Sequence, residues 1–226
     1  MKVKILNLYA CLGGNRYNWD EVADIEVTAV ELDPELSRIY QERFPTDTVI
    51  VTDAHQYLLD HYKEFDIIWS SPPCPSHSKT MWVWNNTSDS NVGNKSIYPD
   101  MNLYQEIIFL ESFFKGKYIV ENVIPYYHPL ITAQKRGRHL YWANFKLPMN
   151  INERKESTGI VGGNVKNETK KLEAFHKIDL SSYKGNQRKD KIARNLVDYE
   201  AGKTILETAL NIITKSNTKQ TNLFES

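Results

Sequence analysis

Short apolar runs alternate with amphipathic segments along residues 2–147. The runs are rich in branched and aromatic residues and end at polar or turn-forming residues, which is the pattern of buried strands. PELSRIYQERF at 34–44 and NLYQEIIFLESFF at 102–114 instead place apolar residues on one helical face. Strands that alternate with helices predict an α/β fold with a mostly parallel central sheet. The predicted strands are 2–10, 25–33, 48–58 (which turns at Asp53), 65–69 and 118–120.

The last third of the chain has a weaker pattern. Within residues 134–147, the alternating basic side chains of Arg136 and Arg138 precede an aromatic strand, and we expect them to share a face because alternate residues of an extended chain point the same way. Residues 148–190 are polar and lysine-rich, and they predict no firm secondary structure. EAGKTILETALNIITK at 200–215 predicts a final helix.

Polar residues follow each of the first three predicted strands. Gly13 and Gly14 form a turn after the first strand, Glu31 ends the second and Asp53 ends the third. Because open α/β sheets bind ligands at the carboxyl ends of their strands, these residues predict a nucleotide-type site in which Glu31 accepts from ribose hydroxyls. The full G-x-G-x-x-G spacing is missing, and Glu31 alone is also compatible with a helix cap or a surface acid.

The fourth predicted strand leads into a proline-rich loop that contains Cys74. Pro72, Pro73 and Pro75 restrict the backbone on both sides of this cysteine, so the thiol is expected to point in a fixed direction. A lone cysteine can also be a small buried hydrophobe. Its place at the carboxyl end of a strand favours a reactive role.

The fifth predicted strand brings a second polar group to the same edge. This strand ends in Glu121, and a buried carboxylate is costly unless it is paired or protonated. Glu121 is therefore a candidate catalytic acid, with a structural ion pair to an arginine as the alternative. Between this strand and Cys74, residues 79–102 form a long irregular segment that contains Trp82 and Trp84, and such segments are often functional.

Composition narrows the class of protein. The chain has 226 residues, which suits one domain, and it has two cysteines, no hydrophobic leader and no apolar run of membrane length. These features predict a soluble protein of a reducing compartment, the cytoplasm. Lys plus Arg and Asp plus Glu are both 28, so no overall positive field indicates a nucleic-acid partner. Local basic patches lie at 134–139 and 184–194, and each can also be solvated surface.

Taken in order, these stretches resemble the DNA (cytosine-5) methyltransferases over about residues 3–213. The ordered set with Pro-Cys, Glu-Asn-Val and Gln-x-Arg-x-Arg is highly specific, and the chain resembles a small bacterial or phage member of a restriction-modification system. The motifs that carry the resemblance are NLYACLGG, VELD, TDA, SPPCPSHS, ENV, QKRGRH and RNLV.

The resemblance implies a Rossmann-like sheet that binds S-adenosylmethionine across its carboxyl edge. It implies that Glu31 holds the ribose hydroxyls, that Asp53 holds the adenine amine and that Tyr9 packs by the adenosine. The other residues that it implies at the cofactor are Gly13, Gly14, Leu32, Ala54, Pro73, Leu103 and Asn195.

The resemblance also implies covalent catalysis on cytosine. Cys74 would add to carbon 6, which makes carbon 5 nucleophilic enough to accept a methyl group. Glu121 would protonate or hydrogen-bond nitrogen 3, Arg138 would hold the carbonyl oxygen at carbon 2, and Arg136 would contact phosphate or position the catalytic loop. A base stacked in duplex DNA is out of reach of a thiol, so the target is expected to flip out of the helix.

The chain departs from the family pattern where the family inserts a target-recognition domain. The segment at about 146–190 is short for such a domain. We hypothesise that a mobile catalytic loop at about 75–102 takes over part of DNA recognition, with Trp82 and Trp84 stacking on bases or wedging between them. The alternative is that both tryptophans pack on the protein's own surface. Cys11 also departs from the pattern, because it stands where the first motif has a glycine.

Other functions remain open from the sequence alone. An RNA (tRNA) cytosine-5 methyltransferase would use the same residues, and a non-catalytic nucleic-acid-binding relative would keep the fold. The presence of Cys74, Glu121 and Arg138 argues against the non-catalytic relative. A zinc deaminase needs a C-x-x-C pair and H-x-E, which the sequence lacks. We predict a single methyltransferase domain over 1–226 that acts on DNA, duplex rather than single-stranded, without a metal or a membrane partner.

Overall fold

A seven-stranded sheet forms the centre of the computed structural model, which describes residues 2–79, 82–83, 98–153 and 165–212. The strands are β1 (Val3–Leu8), β2 (Ile25–Glu31), β3 (Thr48–Val51), β4 (Ile67–Ser70), β5 (Lys117–Val123), β6 (Gln134–Arg136) and β7 (His139–Ala143). Their order is β3-β2-β1-β4-β5-β7-β6. Strands β1 to β5 pair in parallel, whereas β7 runs antiparallel to both β5 and β6. This confirms the predicted α/β, Rossmann-like fold with a mostly parallel sheet.

Helices connect the strands and cover both faces of the sheet. The helices are α1 (Pro34–Arg43), α2 (Ala54–His61), α3 (Asn102–Phe113), α4 (Val165–His176), α5 (Lys189–Arg194) and α6 (Tyr199–Ala209). Helix α1 begins directly after β2 because Asp33 caps it, accepting from the backbone N–H groups of Glu35 and Leu36, and because Pro34 suits the first helical position. None of the described helices has the length and apolar character needed to cross a membrane.

Alternate residues of the central strands pack into two separate parts of the core. In β4, Ile68 packs with α3 residues such as Ile107, whereas Ile67 and Trp69 pack with α6 residues such as Ile205. A strand buried on both faces is apolar at nearly every position, which explains the continuous apolar run in the sequence.

The strand order reverses at β1. From β1 the chain crosses to β2 and β3 on one side, and then returns to β4 on the other side. At such a switch point the loops after the two central strands separate and leave a crevice at their carboxyl ends. The glycine turn after β1 and the Cys74 loop after β4 are the two loops at this crevice.

The aromatic strand predicted after Arg136 and Arg138 is present as β7, but the predicted shared face of the two arginines is wrong. Gly137 and Arg138 form a two-residue turn between β6 and β7, and Gly137 has a φ of +51°, a region that favours glycine. Arg136 therefore ends one strand and Arg138 lies in the turn, so the period-two argument for a shared face does not apply.

The prediction of no firm structure over 148–190 is also wrong for the described part of that segment. Helix α4 lies within it, and Leu172, Leu180 and Ile192 are buried against Leu12 and Leu36. Part of the segment expected to recognise the target thus packs over the glycine turn and α1.

Candidate active site

Three neighbouring parts of the sheet bring the predicted catalytic residues to one edge. Cys74 follows β4, Glu121 lies near the carboxyl end of β5, and Arg138 occupies the turn before β7. Because β7 is antiparallel to β5, its first residue, His139, pairs with Val123 at the end of β5. The start of β7 therefore belongs to the same edge as Cys74.

Hydrogen bonds to the β5 side hold the Cys74 loop on both flanks of the cysteine. Before Cys74, the side-chain amide of Asn122 donates to the Pro72 carbonyl at 2.9 Å, and both groups are buried. After it, the Tyr126 N–H donates to the His77 carbonyl at 3.1 Å. The loop is thus fixed relative to the residue that follows Glu121 along β5.

The environment of Cys74 favours the protonated thiol. Burial raises the pKa of Cys74, and the charge of Glu121 raises it further, whereas the positive charges of Lys191 and Arg138 lower it. The side chain is partly buried rather than enclosed in the core. A nucleophilic cysteine must be a thiolate, so this site needs the negative charge of Glu121 to be neutralised or the positive charges to move closer.

Glu121 is buried, and an imidazole lies close to its carboxylate. The Nε2 atom of His139 lies 3.4 Å from Oε1 of Glu121, and Nδ1 of the same ring lies 3.6 Å from Oε1 of Glu153. The structural alternative for Glu121 was an ion pair with an arginine, whereas the structure places His139 beside it. His139 and Glu153 were not singled out from the sequence, although His139 ends the QKRGRH stretch.

Arg136 is bound by the protein's own backbone. Its guanidinium donates to the carbonyl oxygens of Lys135, Leu147 and Pro148. These bonds attach the segment after β7 to β6. The predicted contact of Arg136 with phosphate gains no support from this arrangement, whereas Arg138 lies exposed in the turn.

Backbone N–H groups orient the carboxylate of Glu31 at the end of β2. One oxygen accepts from Cys11 N and the other from Asp33 N, each at 2.9 Å. Burial raises the pKa of Glu31. The capping role belongs to Asp33, so the alternative of a helix-capping Glu31 does not apply.

Asp53 and Leu32 lie beside Glu31 in different environments. Asp53 caps α2 by accepting from Gln56 N at 2.8 Å. Leu32 is 67% exposed. An oriented carboxylate beside an uncovered apolar side chain fits the ribose and the purine of S-adenosylmethionine.

The two glycines of the turn after β1 have a packing reason. A Cβ on Gly13, whose φ is +65°, would lie 2.5 Å from Cε2 of Phe44, and one on Gly14 would lie 2.4 Å from the Val197 carbonyl oxygen. The sequence argument expected a ligand in this space. The structure instead fills it with protein atoms, and the contact of these glycines with the cofactor stays a prediction.

A buried carboxylate that the sequence analysis missed ties three elements together. Glu106 of α3 accepts from Tyr9 Oη at 2.6 Å and from Ser70 Oγ at 2.6 Å, and His55 Nδ1 lies 3.2 Å away. Burial and Glu106 raise the pKa of Tyr9, and the hydrogen bond to Glu106 raises that of His55. The position of Glu106 among Leu103, Ile107 and Leu110 on one helical face was the available signal.

The remaining predicted cofactor residues divide by exposure. The side chains of Ala54 and Leu103 are buried in the core, whereas Pro73 and Asn195 are exposed. Among the described residues, no group of His, Cys, Asp and Glu side chains is arranged to hold a metal ion.

Trp82 lies on the β5 side of the Cys74 loop. Its ring stacks on Tyr126 with centroids 5.8 Å apart and an interplanar angle of 17°, and the residue is 46% exposed. Trp84, the other tryptophan of the hypothesis, falls outside the described residues.

Solved structures of methyltransferases resemble this chain weakly. The Spodoptera frugiperda DNMT2 mutant is 23% identical over 54% of this chain and 36% of its own, with a TM-score of 0.37. The Entamoeba histolytica methyltransferase EhMeth is 8% identical over 95% of this chain and 100% of its own, with a TM-score of 0.49. The S-adenosylmethionine-dependent methyltransferase from Agrobacterium tumefaciens is 14% identical over 56% of this chain and 40% of its own, with a TM-score of 0.39.

Sequence comparison is more informative for the amino-terminal part. A search of curated proteins finds no significant match. Residues 3–83 match the model of the C-5 cytosine-specific DNA methylases, and this segment includes the glycine turn, Glu31, Asp53 and Cys74. The chain is therefore similar to the C-5 cytosine-specific DNA methylases over residues 3–83.

Proposed function

We propose that the chain transfers a methyl group from S-adenosylmethionine to carbon 5 of cytosine in DNA, through a covalent adduct with Cys74. The observation that carries this proposal is the buried hydrogen bond from Asn122 to the Pro72 carbonyl. It joins the nucleophile's loop to the residue that follows Glu121. Glu121 and Arg138 both act electrostatically on the Cys74 thiol, which supports one shared substrate pocket.

Each catalytic side chain has a defined part in the proposed reaction. The Cys74 thiolate bonds to carbon 6 of a flipped cytosine, and the electron pair of the 5,6 double bond moves into the ring. Glu121 donates a proton to nitrogen 3, and Arg138 donates to the oxygen at carbon 2, so the ring does not hold a full negative charge. S-adenosylmethionine, when bound, supplies the electrophilic methyl group. Loss of the carbon 5 proton to a base then lets the Cys74 sulfur leave.

The cofactor is proposed to bind at the carboxyl ends of β1 to β3. Glu31 is oriented by two backbone N–H groups, and each carboxylate oxygen keeps acceptor capacity for a ribose hydroxyl. The exposed Leu32 offers apolar surface to the adenine. Asp53 is proposed to accept from the adenine amine, and Tyr9 to pack by the adenosine.

Recognition of nucleic acid is proposed to involve the segment at about 75–102. Trp82 supports this part, because a partly exposed indole already stacked on Tyr126 can extend the stack to a base. The segment at about 146–190 is proposed as a reduced recognition region within a single methyltransferase domain. Its described part is largely engaged with α1, since Tyr183 Oη donates to Asp33 Oδ2 at 2.8 Å.

Methyl transfer from labelled S-adenosylmethionine tests the reaction directly. Wild-type protein and Cys74→Ser, which changes one atom, are incubated with duplex DNA, single-stranded DNA and transfer RNA, and the products are digested to nucleosides. We expect label in 5-methylcytosine from duplex DNA, with no label above background for Cys74→Ser.

Two other results would redirect the proposal. Label confined to RNA would replace DNA as the substrate, and absence of label with retained nucleic-acid binding would favour a non-catalytic relative. DNA that contains 5-fluorocytosine tests for the covalent adduct, because an enzyme that forms the adduct is trapped on this base. A mechanism without an adduct would leave no trapped complex. Peptide mapping of the trapped complex must then locate the bond at Cys74 and not at Cys11.

Trp82→Ala isolates the recognition part of the proposal. Loss of stacking surface should weaken DNA binding by about tenfold, since stacking contributes about 1–3 kcal/mol per base. Binding of the cofactor should not change. Unchanged DNA affinity would show that Trp82 packs for structural reasons alone.

A further inference from the structure

His139 lies between two carboxylates that differ in exposure. Its Nε2 faces Glu121 at 3.4 Å and its Nδ1 faces Glu153 at 3.6 Å. The side chain of Glu121 is 8% exposed, that of His139 is 13% exposed and that of Glu153 is 23% exposed. The three groups therefore form a line from the interior of the site towards solvent.

The backbone explains why these three residues meet. Glu121 pairs with Tyr141 and Val123 pairs with His139, so Glu121 and His139 are diagonal neighbours on the same face of the β5–β7 pair. The diagonal distance suits long side chains that touch at their tips. The contact is thus a direct consequence of the register.

Glu153 is held in place from the other side. Ile151 is buried in the core, and the Asn152 side chain donates to Thr204 Oγ1 of α6 at 3.0 Å. The Glu153 carboxylate reaches into the space that a Cβ on Gly137 would occupy, where Oε2 would be 2.1 Å away. A glycine in the β6–β7 turn therefore makes room for this carboxylate.

The charges that face His139 favour the imidazolium. Burial lowers the pKa of His139, but the negative charges of Glu121 on β5 and of Glu153 outweigh this effect. The charge of Arg138 in the adjacent turn opposes them, and the net pKa is raised. The Tyr141 ring is the other neighbour, with its centroid 6.3 Å from that of the imidazole. A proton is thus available beside Glu121.

We propose that His139 and Glu153 form a proton relay that loads Glu121 during methyl transfer. The inference rests on the proposed role of Glu121. Nε2–H of the His139 imidazolium passes a proton to the Glu121 carboxylate, Glu121 gives that proton to nitrogen 3 of cytosine, and His139 is left neutral. When the carbon 5 proton leaves to a base and the bond from sulfur to carbon 6 breaks, nitrogen 3 returns its proton through Glu121 to His139. Glu153 stabilises the imidazolium form at both ends of the cycle.

The relay also affects the nucleophile. The charge of Glu121 raises the pKa of Cys74, so a proton placed on Glu121 removes that contribution and favours the thiolate. Proton transfer from His139 therefore prepares the acid and the nucleophile together. Without the relay, a loaded Glu121 would depend on proton capture from bulk water at a nearly buried site.

The test combines a proton readout with kinetics on the full chain. The titration of His139 is followed by NMR in the wild-type protein, Glu121→Gln and Glu153→Gln, without any substrate. We expect each substitution to lower the pKa of His139, because each removes a negative charge. In single-turnover methyl transfer, Glu153→Gln should shift the alkaline limb of the pH profile to lower pH.

His139→Gln keeps the size and hydrogen bonding of the side chain but cannot carry the proton. We expect kcat near neutral pH to fall about tenfold, below the 10²–10⁴-fold contribution of a complete general acid, with the KM for S-adenosylmethionine unchanged. The matched control is His61→Gln, because His61 forms a similar pair with Glu64 at 2.8 Å on the exposed end of α2. This control should leave kcat and its pH profile unchanged.

The outcomes separate the relay from the proposed function. If the wild-type protein is active and His139→Gln has the same pH profile, the relay alone is overturned. A defect of His139→Gln that is confined to KM or to folding would also overturn it. Wild-type protein that methylates neither DNA nor RNA would overturn the proposed function and the relay with it, while the NMR titration would still report on the charge pairing.

Discussion

Two buried carboxylates near the same edge of the sheet have different surroundings. Glu106, on α3, is fully buried and accepts hydrogen bonds of 2.6 Å from both Tyr9 and Ser70. Glu121, on β5, is almost as buried, but His139 lies 3.4 Å from its Oε1, beyond normal hydrogen-bond length. The first region joins strands and helices, whereas the charge of the second acts on Cys74, the proposed nucleophile.

The difference distinguishes Glu106, whose contacts are structural, from Glu121, for which we propose a chemical role. Short hydrogen bonds to both oxygens compensate Glu106 for lost hydration and leave it little capacity for a ligand. A longer contact leaves Glu121 able to exchange a proton and to accept a substrate. Burial alone therefore does not distinguish the two carboxylates, whereas the completeness of their hydrogen bonding does.

Glu121→Gln should show the largest effect, on the reaction rather than on the fold. Loss of the proton donor to cytosine should slow single-turnover methyl transfer by about 10³-fold, or about 4 kcal/mol at the barrier. The free energy of unfolding, from urea titration, should change little because glutamine keeps the shape. If Glu121→Gln lost as much stability as Glu106→Ala, the two carboxylates would not differ in the way described.

Glu106→Ala should lower the free energy of unfolding by about 3 kcal/mol, because it leaves the Tyr9 and Ser70 hydroxyls buried without their acceptor. Urea denaturation measures this loss. Glu106→Gln should cost less, since an amide oxygen still accepts from one hydroxyl. Glu64→Ala is the control, because Glu64 is exposed and should leave the unfolding free energy unchanged.

Gly137→Ala should cost about 1 kcal/mol of stability, because a side chain at a φ of +51° is strained. The added Cβ must also push the Glu153 carboxylate away from its position. Thermal denaturation measures the first effect, and a lower pKa of His139 by NMR reports the second. An unchanged histidine titration would mean that Glu153 does not depend on the glycine for its contact.

The pH dependence of stability should show the smallest effect, below about 1 kcal/mol. Because the folded-state pKa of His139 is raised above its ordinary value of 6.5, its contribution is complete below that value and is lost as pH rises through the folded-state pKa. The stability advantage of wild type over His139→Gln should therefore be larger at about pH 5.5 than at about pH 9. An advantage that grows with pH would contradict the assigned charge pairing.

The local sequence pattern predicted some secondary-structure elements and missed others. The apolar runs located the first five strands because a strand buried on both faces needs apolar residues throughout. The β6–β7 turn was missed because Gly137 and Arg138 sit inside an otherwise strand-like stretch. Helix α4 was missed because its segment is mostly polar, and its buried Leu172 contributes little to the pattern.

The sequence by itself determined the α/β class, the residues at the ends of the strands and, through its motifs and the match over residues 3–83, the similarity to the C-5 cytosine-specific DNA methylases. These depend on near neighbours in the chain, so a one-dimensional pattern retains them. Only the tertiary structure decided which carboxylate accepts two short hydrogen bonds from hydroxyls and which has His139 at 3.4 Å as its partner. Glu106 meets Tyr9 across 97 positions, and Glu153 meets His139 through packing of α6, because such contacts depend on sheet order and register rather than on local preference.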